Sequence, residues 1–175
     1  MTKISRNAGT TGVTKVTGTA PRFNYPLGVA ASTAGGAAIL VVSDSANHAI
    51  CQIMVSTGVV TTLAGSICNA GYSDATGTHA LFDYLLGIAS DGTNVYVADS
   101  ANNVIRKIVI LTGVVTTLAG NTSGTSGFVN ATGTAAYFNN PTGLTYDGGN
   151  LYVVDQGGTH IHIVAVSNGA TTTMH

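Results

Sequence analysis

The chain has 175 residues and a mass of 17.5 kDa, with 45% hydrophobic and only 7% charged residues. That is enough apolar material for one domain with a core. Six Lys+Arg against seven Asp+Glu form no basic face, which argues against a nucleic-acid partner, and no apolar run reaches the ~20 residues of a membrane helix.

The N-terminal stretch MTKISRNAGTTG has no apolar signal-peptide core, so an exported form would have lost its signal or carry it on a longer precursor. A surface of Thr, Ser, Asn and Gly in place of charge points to an extracellular or cell-surface setting.

The dominant feature is a threefold repeat at about 55 to 59 residues, a period that signals a solenoid, propeller or array. One repeat cannot bury its own apolar faces, so its neighbours are part of the fold. The pattern expects three blades, at about 20–65, about 79–120 and about 135–175, in a single segment covering 1–175.

Four β segments are expected in each copy. The first is Gly28–Ser32, Gly87–Ser90 or Gly143–Tyr146. AspGly turns follow at Asp91–Gly92 and Asp147–Gly148, with Thr33–Gly36 in their place in copy one. The second, Ala38–Ser43, Asn94–Ala98 or Asn150–Val154, reads as a strand covered on both faces. The third is Ala49–Val55, Val104–Ile110 or His160–Val166. The fourth is Val59–Leu63, Val114–Leu118 or Ala170–Met174.

Two-residue turns with Gly second, Thr57-Gly58, Thr112-Gly113 and Asn168-Gly169, are expected to join the third and fourth segments. That register sets Cys51 opposite Ala64 and His162 opposite His175. No segment has a helical period. Four antiparallel strands repeated radially describe propeller blades, an all-β fold. Longer connections end in TGT-x-x-x-F, at Thr17–Phe23, Thr76–Phe82 and Thr132–Phe138, and each Phe is expected to pack between blades.

The run Phe138-Asn139-Asn140-Pro141-Thr142-Gly143, the run Asp91–Ser100 with Asn103 and Ile105, and the run Thr112–Gly120 together resemble the NHL-repeat β-propellers. The resemblance covers essentially the whole chain. It departs at Gln156-Gly157-Gly158, which replaces Ser-Ala-Asn, and in copy one, which lacks the AspGly turn. It implies closed rings, most often six-bladed. The chain holds three blades, starts within a connection and stops near the end of a fourth strand. Two blade faces are therefore expected to stay open, to be closed by a head-to-tail second copy, extended into a filament or surface layer, or covered by a longer polypeptide.

Asp44, Asp99 and Asp155 end the second strand of every copy. They read either as a carboxylate ring at a channel mouth or as an Asx turn to the following loop. Recurrence in each copy favours the turn. His160, His162 and His175 fall on one face and form a candidate transition-metal set. Against this, the place of His162 is taken by Arg106 and Cys51 in the other copies, as at a solvated outer-strand position.

Cys51 and Cys68, the only cysteines, form either a disulfide or two free thiols. Asn121-Thr122-Ser123 and Asn130-Ala131-Thr132 fit the N-glycosylation triplet. Tyr72 and Phe128, isolated aromatics in polar connections, are either exposed binding anchors or tucked under their own loops.

No nucleophile elbow, phosphate loop or pair of catalytic carboxylates appears, and Glu is absent. The resemblance also implies relatives that are lyases or lactonases built on metal-binding His or Glu at the channel. No His lies at an inner-strand end here, so a metal-dependent enzyme is disfavoured. The expectation is a non-enzymatic structural or binding module without a cofactor. Its partners would be a second copy, another protein or a glycan.

Overall fold

The computed structural model describes residues 23–174. These form three four-stranded antiparallel sheets, each a meander in chain order. Blade 1 contains β1 (Pro26–Ala34), β2 (Ala37–Asp44), β3 (Ala49–Met54) and β4 (Val60–Ala64). Blade 2 contains β5 (Leu85–Ser90), β6 (Asn94–Asp99), β7 (Val104–Val109) and β8 (Val115–Ala119). Blade 3 contains β9 (Pro141–Tyr146), β10 (Asn150–Asp155), β11 (His160–Ala165) and β12 (Thr171–Thr173). Single 3-10 turns at Ser45–Asn47, Gly77–His79 and Gly133–Ala135 are the only helical pieces among the described residues.

Side chains alternate across each sheet, so every blade has one face toward the preceding blade and one toward the next. Ile39, Val41 and Ile50 of blade 1 meet Leu85, Ile88, Val95, Val97 and Ile108 of blade 2 in one core. Ala98 and Ile105 of blade 2 meet Leu151, Val153 and Val164 of blade 3 in a second. Phe82 lies fully buried in the first core and Phe138 in the second, between blades as their repetition anticipates. Phe23 is only half-buried, packed against Val42 and Cys51 of its own blade.

The innermost strands approach most closely at glycine. A Cβ on Gly87 would lie 2.5 Å from the Thr142 carbonyl oxygen and 2.9 Å from Gly143 Cα. Only a residue without a side chain lets β5 lie against β9. Gly28 plays the same part for β1 against β5. Serines tie the blades further: Ser43 Oγ donates to the Leu86 carbonyl at 2.6 Å, and Ser45 and Ser100 donate to the Leu85 and Pro141 carbonyls.

The outer hairpins differ from expectation. Gly58 N–H bonds the Met54 carbonyl at 2.8 Å and Met54 N–H the Val59 carbonyl at 2.9 Å, so the loop is the four residues 55–58. Gly58, Gly113 and Gly169 take φ of 69°, 68° and 74°, the left-handed conformation that closes such a loop. The longer loop shifts the register. Cys51 pairs with Thr62, not Ala64, and His162 pairs with Thr173, not His175. The inner turn of blade 2 places Gly92-Thr93 at its centre, with the Asp91 N–H bonded to the Asn94 carbonyl.

Candidate functional site

Asp44, Asp99 and Asp155 are completely buried. Among the described residues, none of the three carboxylates accepts a hydrogen bond from the backbone of the loop that follows. Each carboxylate reaches back to the chain entering its own blade: the N–H groups of Asn24, Asp83 and Asn139 donate to Oδ1 at 2.6, 2.8 and 2.8 Å. The link spans 16 to 20 residues and fixes the strand entry beside the interblade Phe. A side-chain amide three residues on adds a second clamp in two blades, Asn47 on Asp44 and Asn102 on Asp99. Blade 3 has Gly158 at that place and lacks the clamp.

Seven residues after each Asp comes the place shared by Cys51, Arg106 and His162. The sequence reading of this place as solvated is corrected: all three side chains are fully buried. They face the interblade side, and the long connection before each of blades 2 and 3 folds over the place. In blade 2, Arg106 Nη1 donates to Asp99 Oδ2 at 2.8 Å and to the Leu81 carbonyl at 3.0 Å. Its Nη2 donates to Asp74 Oδ1 at 2.7 Å and to the Ser73 carbonyl at 2.8 Å. The guanidinium lies 4.8 Å from the Tyr72 ring centre and 4.9 Å from that of Phe82. A planar, permanently charged group with forked donors suits this setting, which a lysine could not satisfy in the same way. Burial pushes Asp99 up to about 6, with Arg106 opposing the shift.

Tyr72 is therefore no free anchor: it is half-buried over Arg106, with its hydroxyl 2.7 Å from Thr117 Oγ1. Phe128 holds the equivalent place over blade 3 and is exposed on its outer side. Its ring stacks on His160 at 4.2 Å and lies 5.3 Å from His162. His162 Nε2 is 3.3 Å from Asp155 Oδ2, and Phe138 meets the imidazole edge-on at 5.1 Å. The His162–Asp155 pair thus replaces the Arg106–Asp99 pair of blade 2. His160 and His162 share a face, as expected, and His175 lies outside the described residues. No group of three or more His, Cys, Asp or Glu side chains suited to holding a metal occurs among the described residues.

In blade 1 the same place holds Cys51. Burial foremost, and the Asp44 charge next, push its thiol up, so it stays protonated. Burial also raises Asp44, against the Asn24 and Asn47 hydrogen bonds. Cys68 sits on the exposed connection with its N–H on the Asn47 carbonyl, and both thiols are free, so the disulfide alternative is not the one found. Asn121 accepts from Ser123 N–H at 2.9 Å, and Asn130 exchanges hydrogen bonds with Thr173 across blade 3.

The sequence did carry one signal for this network. Asp99 and Asp155 each have a basic or titratable partner at +7, a spacing that crosses one turn and returns to the facing strand.

The remaining open chemistry is apolar. On blade 3, Val154, Ile161 and Met174 are exposed on the face turned away from blade 2. On blade 1, Leu27 and Val29 are exposed along the innermost strand, β1.

No protein-family model matches the chain. Over 81 residues it is 35% identical to NHL repeat-containing protein 2 of Gallus gallus, a match covering 46% of this chain and 11% of that protein. An auxiliary nutrient binding protein from Bacteroides thetaiotaomicron superposes with a TM-score of 0.62 at 22% identity, covering 76% of this chain and 36% of that one. Virginiamycin B lyase from Staphylococcus aureus superposes with a TM-score of 0.56 at 15% identity, covering 86% of this chain and 41% of that one. The chain thus spans about a tenth of its curated relative and well under half of these solved chains. Its repeats are similar to those of this NHL repeat-containing protein, and its three sheets are blades of a β-propeller.

Proposed function

We propose that the chain is a non-enzymatic structural and binding module, extracellular or at a cell surface, whose blades are completed by association with another copy. The observation that carries this reading is the exposed apolar surface that blades 1 and 3 present away from blade 2 among the described residues. Ile161 is 42% exposed, whereas Ile50 and Ile105, its equivalents in blades 1 and 2, are both 0% exposed. Exposed apolar surface of this kind marks an interaction site. The buried carboxylates, Arg106 and His162 are engaged in holding entry segments and connections to the blades, which supports a scaffold role for them. The nutrient-binding description of one structural neighbour is compatible with a binding module, and the ring mouths and the exposed connection 121–134 are its working surfaces.

Light scattering across a dilution series tests the association. A constant mass of twice 17.5 kDa is expected for two chains closing a ring. A mass that grows with concentration would replace the ring with a filament. A particle of 17.5 kDa at every concentration would overturn self-completion.

A further inference from the structure

We propose that the open face of blade 3 seats blade 1 of a second copy, in the register that blade 2 uses on blade 1 and blade 3 uses on blade 2. This rests on the self-association proposed above and specifies its two surfaces.

The chain itself displays what covers such a face. The next-blade side of blade 1, with Ile39, Val41 and Ile50, is covered by Ile88, Val95 and Val97 of blade 2. The next-blade side of blade 2, with Tyr96, Ala98 and Ile105, is covered by Leu151 and Val153 of blade 3. Tyr152, Val154 and Ile161 continue this series on blade 3, where Ile163 replaces Gln52 and Lys107 and makes the face more apolar. The complementary surface is also present. Val29 is 62% exposed on β1, whereas its equivalent Ile88 is 8% exposed because blade 1 covers it.

The backbones point the same way. A Cβ on Gly28 would strike the Leu86 carbonyl at 2.7 Å and one on Gly87 the Thr142 carbonyl at 2.5 Å. Gly143, third in the series, has nothing nearer than Val154 of its own blade at 3.7 Å. It leaves room for a third innermost strand, and the residue equivalent to Leu86 and Thr142 is Leu27. Gln156 stands where Ser45 and Ser100 donate to Leu85 and Pro141, which assigns the Pro26 carbonyl of the incoming copy as its acceptor.

Such a contact joins two different surfaces, and that property makes it testable. Val29→Asp and Ile161→Asp each place a charge on one of the two surfaces, at exposed positions. Each variant alone is expected to have the mass of one chain, with circular dichroism unchanged. A concentrated equimolar mixture is expected to regain the two-chain mass, because one undamaged surface of each kind remains. Val29→Lys and Ile161→Lys repeat the test with the opposite charge.

Loss of association in only one of the two variants, or a mixture that stays at the one-chain mass, would overturn the register while leaving self-association intact. A wild-type chain that never associates would instead remove the reading on which the register rests.

Discussion

Replacing Arg106 with Met is expected to cost about 3–5 kcal/mol of folding stability, the penalty for breaking a buried ion pair by removing one partner. The side chain is fully buried and bonds two carboxylates and two carbonyls, so no single neighbour can compensate. The loss should depend on pH in a defined sense. Burial has already raised Asp99 to about 6 from an ordinary 3.8, with Arg106 opposing the rise. A carboxyl held above its unfolded value stabilises the fold when protonated. That contribution is present below the unfolded value and disappears as pH rises through the folded one. Without Arg106 the folded value climbs further, and the destabilised window extends to higher pH. Urea unfolding at pH 5 and pH 8 should therefore show a larger loss for Arg106→Met at pH 8. Adding Asp99→Asn should remove that pH difference. An equal loss at both pH values would contradict the assigned charge balance.

The second large effect is expected at Phe138. Its ring is fully buried between blades 2 and 3, beside Ala98, Ile105, Leu151 and Val153, and edge-on to His162. Phe138→Ala should cost about 3–5 kcal/mol, through lost burial and the cavity left between two sheets. Because the ring belongs to both blades, the loss should appear as one cooperative transition with an unchanged urea slope. A separate early transition for blade 3 would mean that the two blades are not coupled through this core.

Much of the architecture was legible because each level of the sequence repeats. Val- and Ile-rich runs, punctuated by glycine at fixed places, located all twelve strands to within a few residues, and the recurring Phe marked the interblade wedge. The outer register was not legible. A Thr-Gly pair suits a two-residue or a four-residue loop equally well, and only the Gly58 N–H bond to the Met54 carbonyl decides between them. That choice moved Cys51 from Ala64 to Thr62 and His162 from His175 to Thr173.

The burial of Arg106 and His162 was hidden for a different reason. Charged or titratable residues on an outer strand read as solvated, yet the connections carrying Tyr72 and Phe128 fold back over them. Loop course is set by tertiary contacts such as Arg106 to the Ser73 carbonyl, which no local pattern announces. The recurrent Asp was expected to bond the backbone of the following loop; its backbone partner lies instead at the strand entry, and from that loop only the side chains of Asn47 and Asn102 reach it.

The most direct test of blade completion is amide hydrogen exchange over 151–163, compared between wild type and Val29→Asp. Val29 lies on blade 1, and blade 2 stands between it and β10 and β11. Slower exchange in the wild type than in the variant is predicted, because the second copy covers Val154 and Ile161 only when Val29 is intact. Identical exchange over 151–163 in the two proteins would show that blade 3 is not covered by blade 1, and would contradict the account.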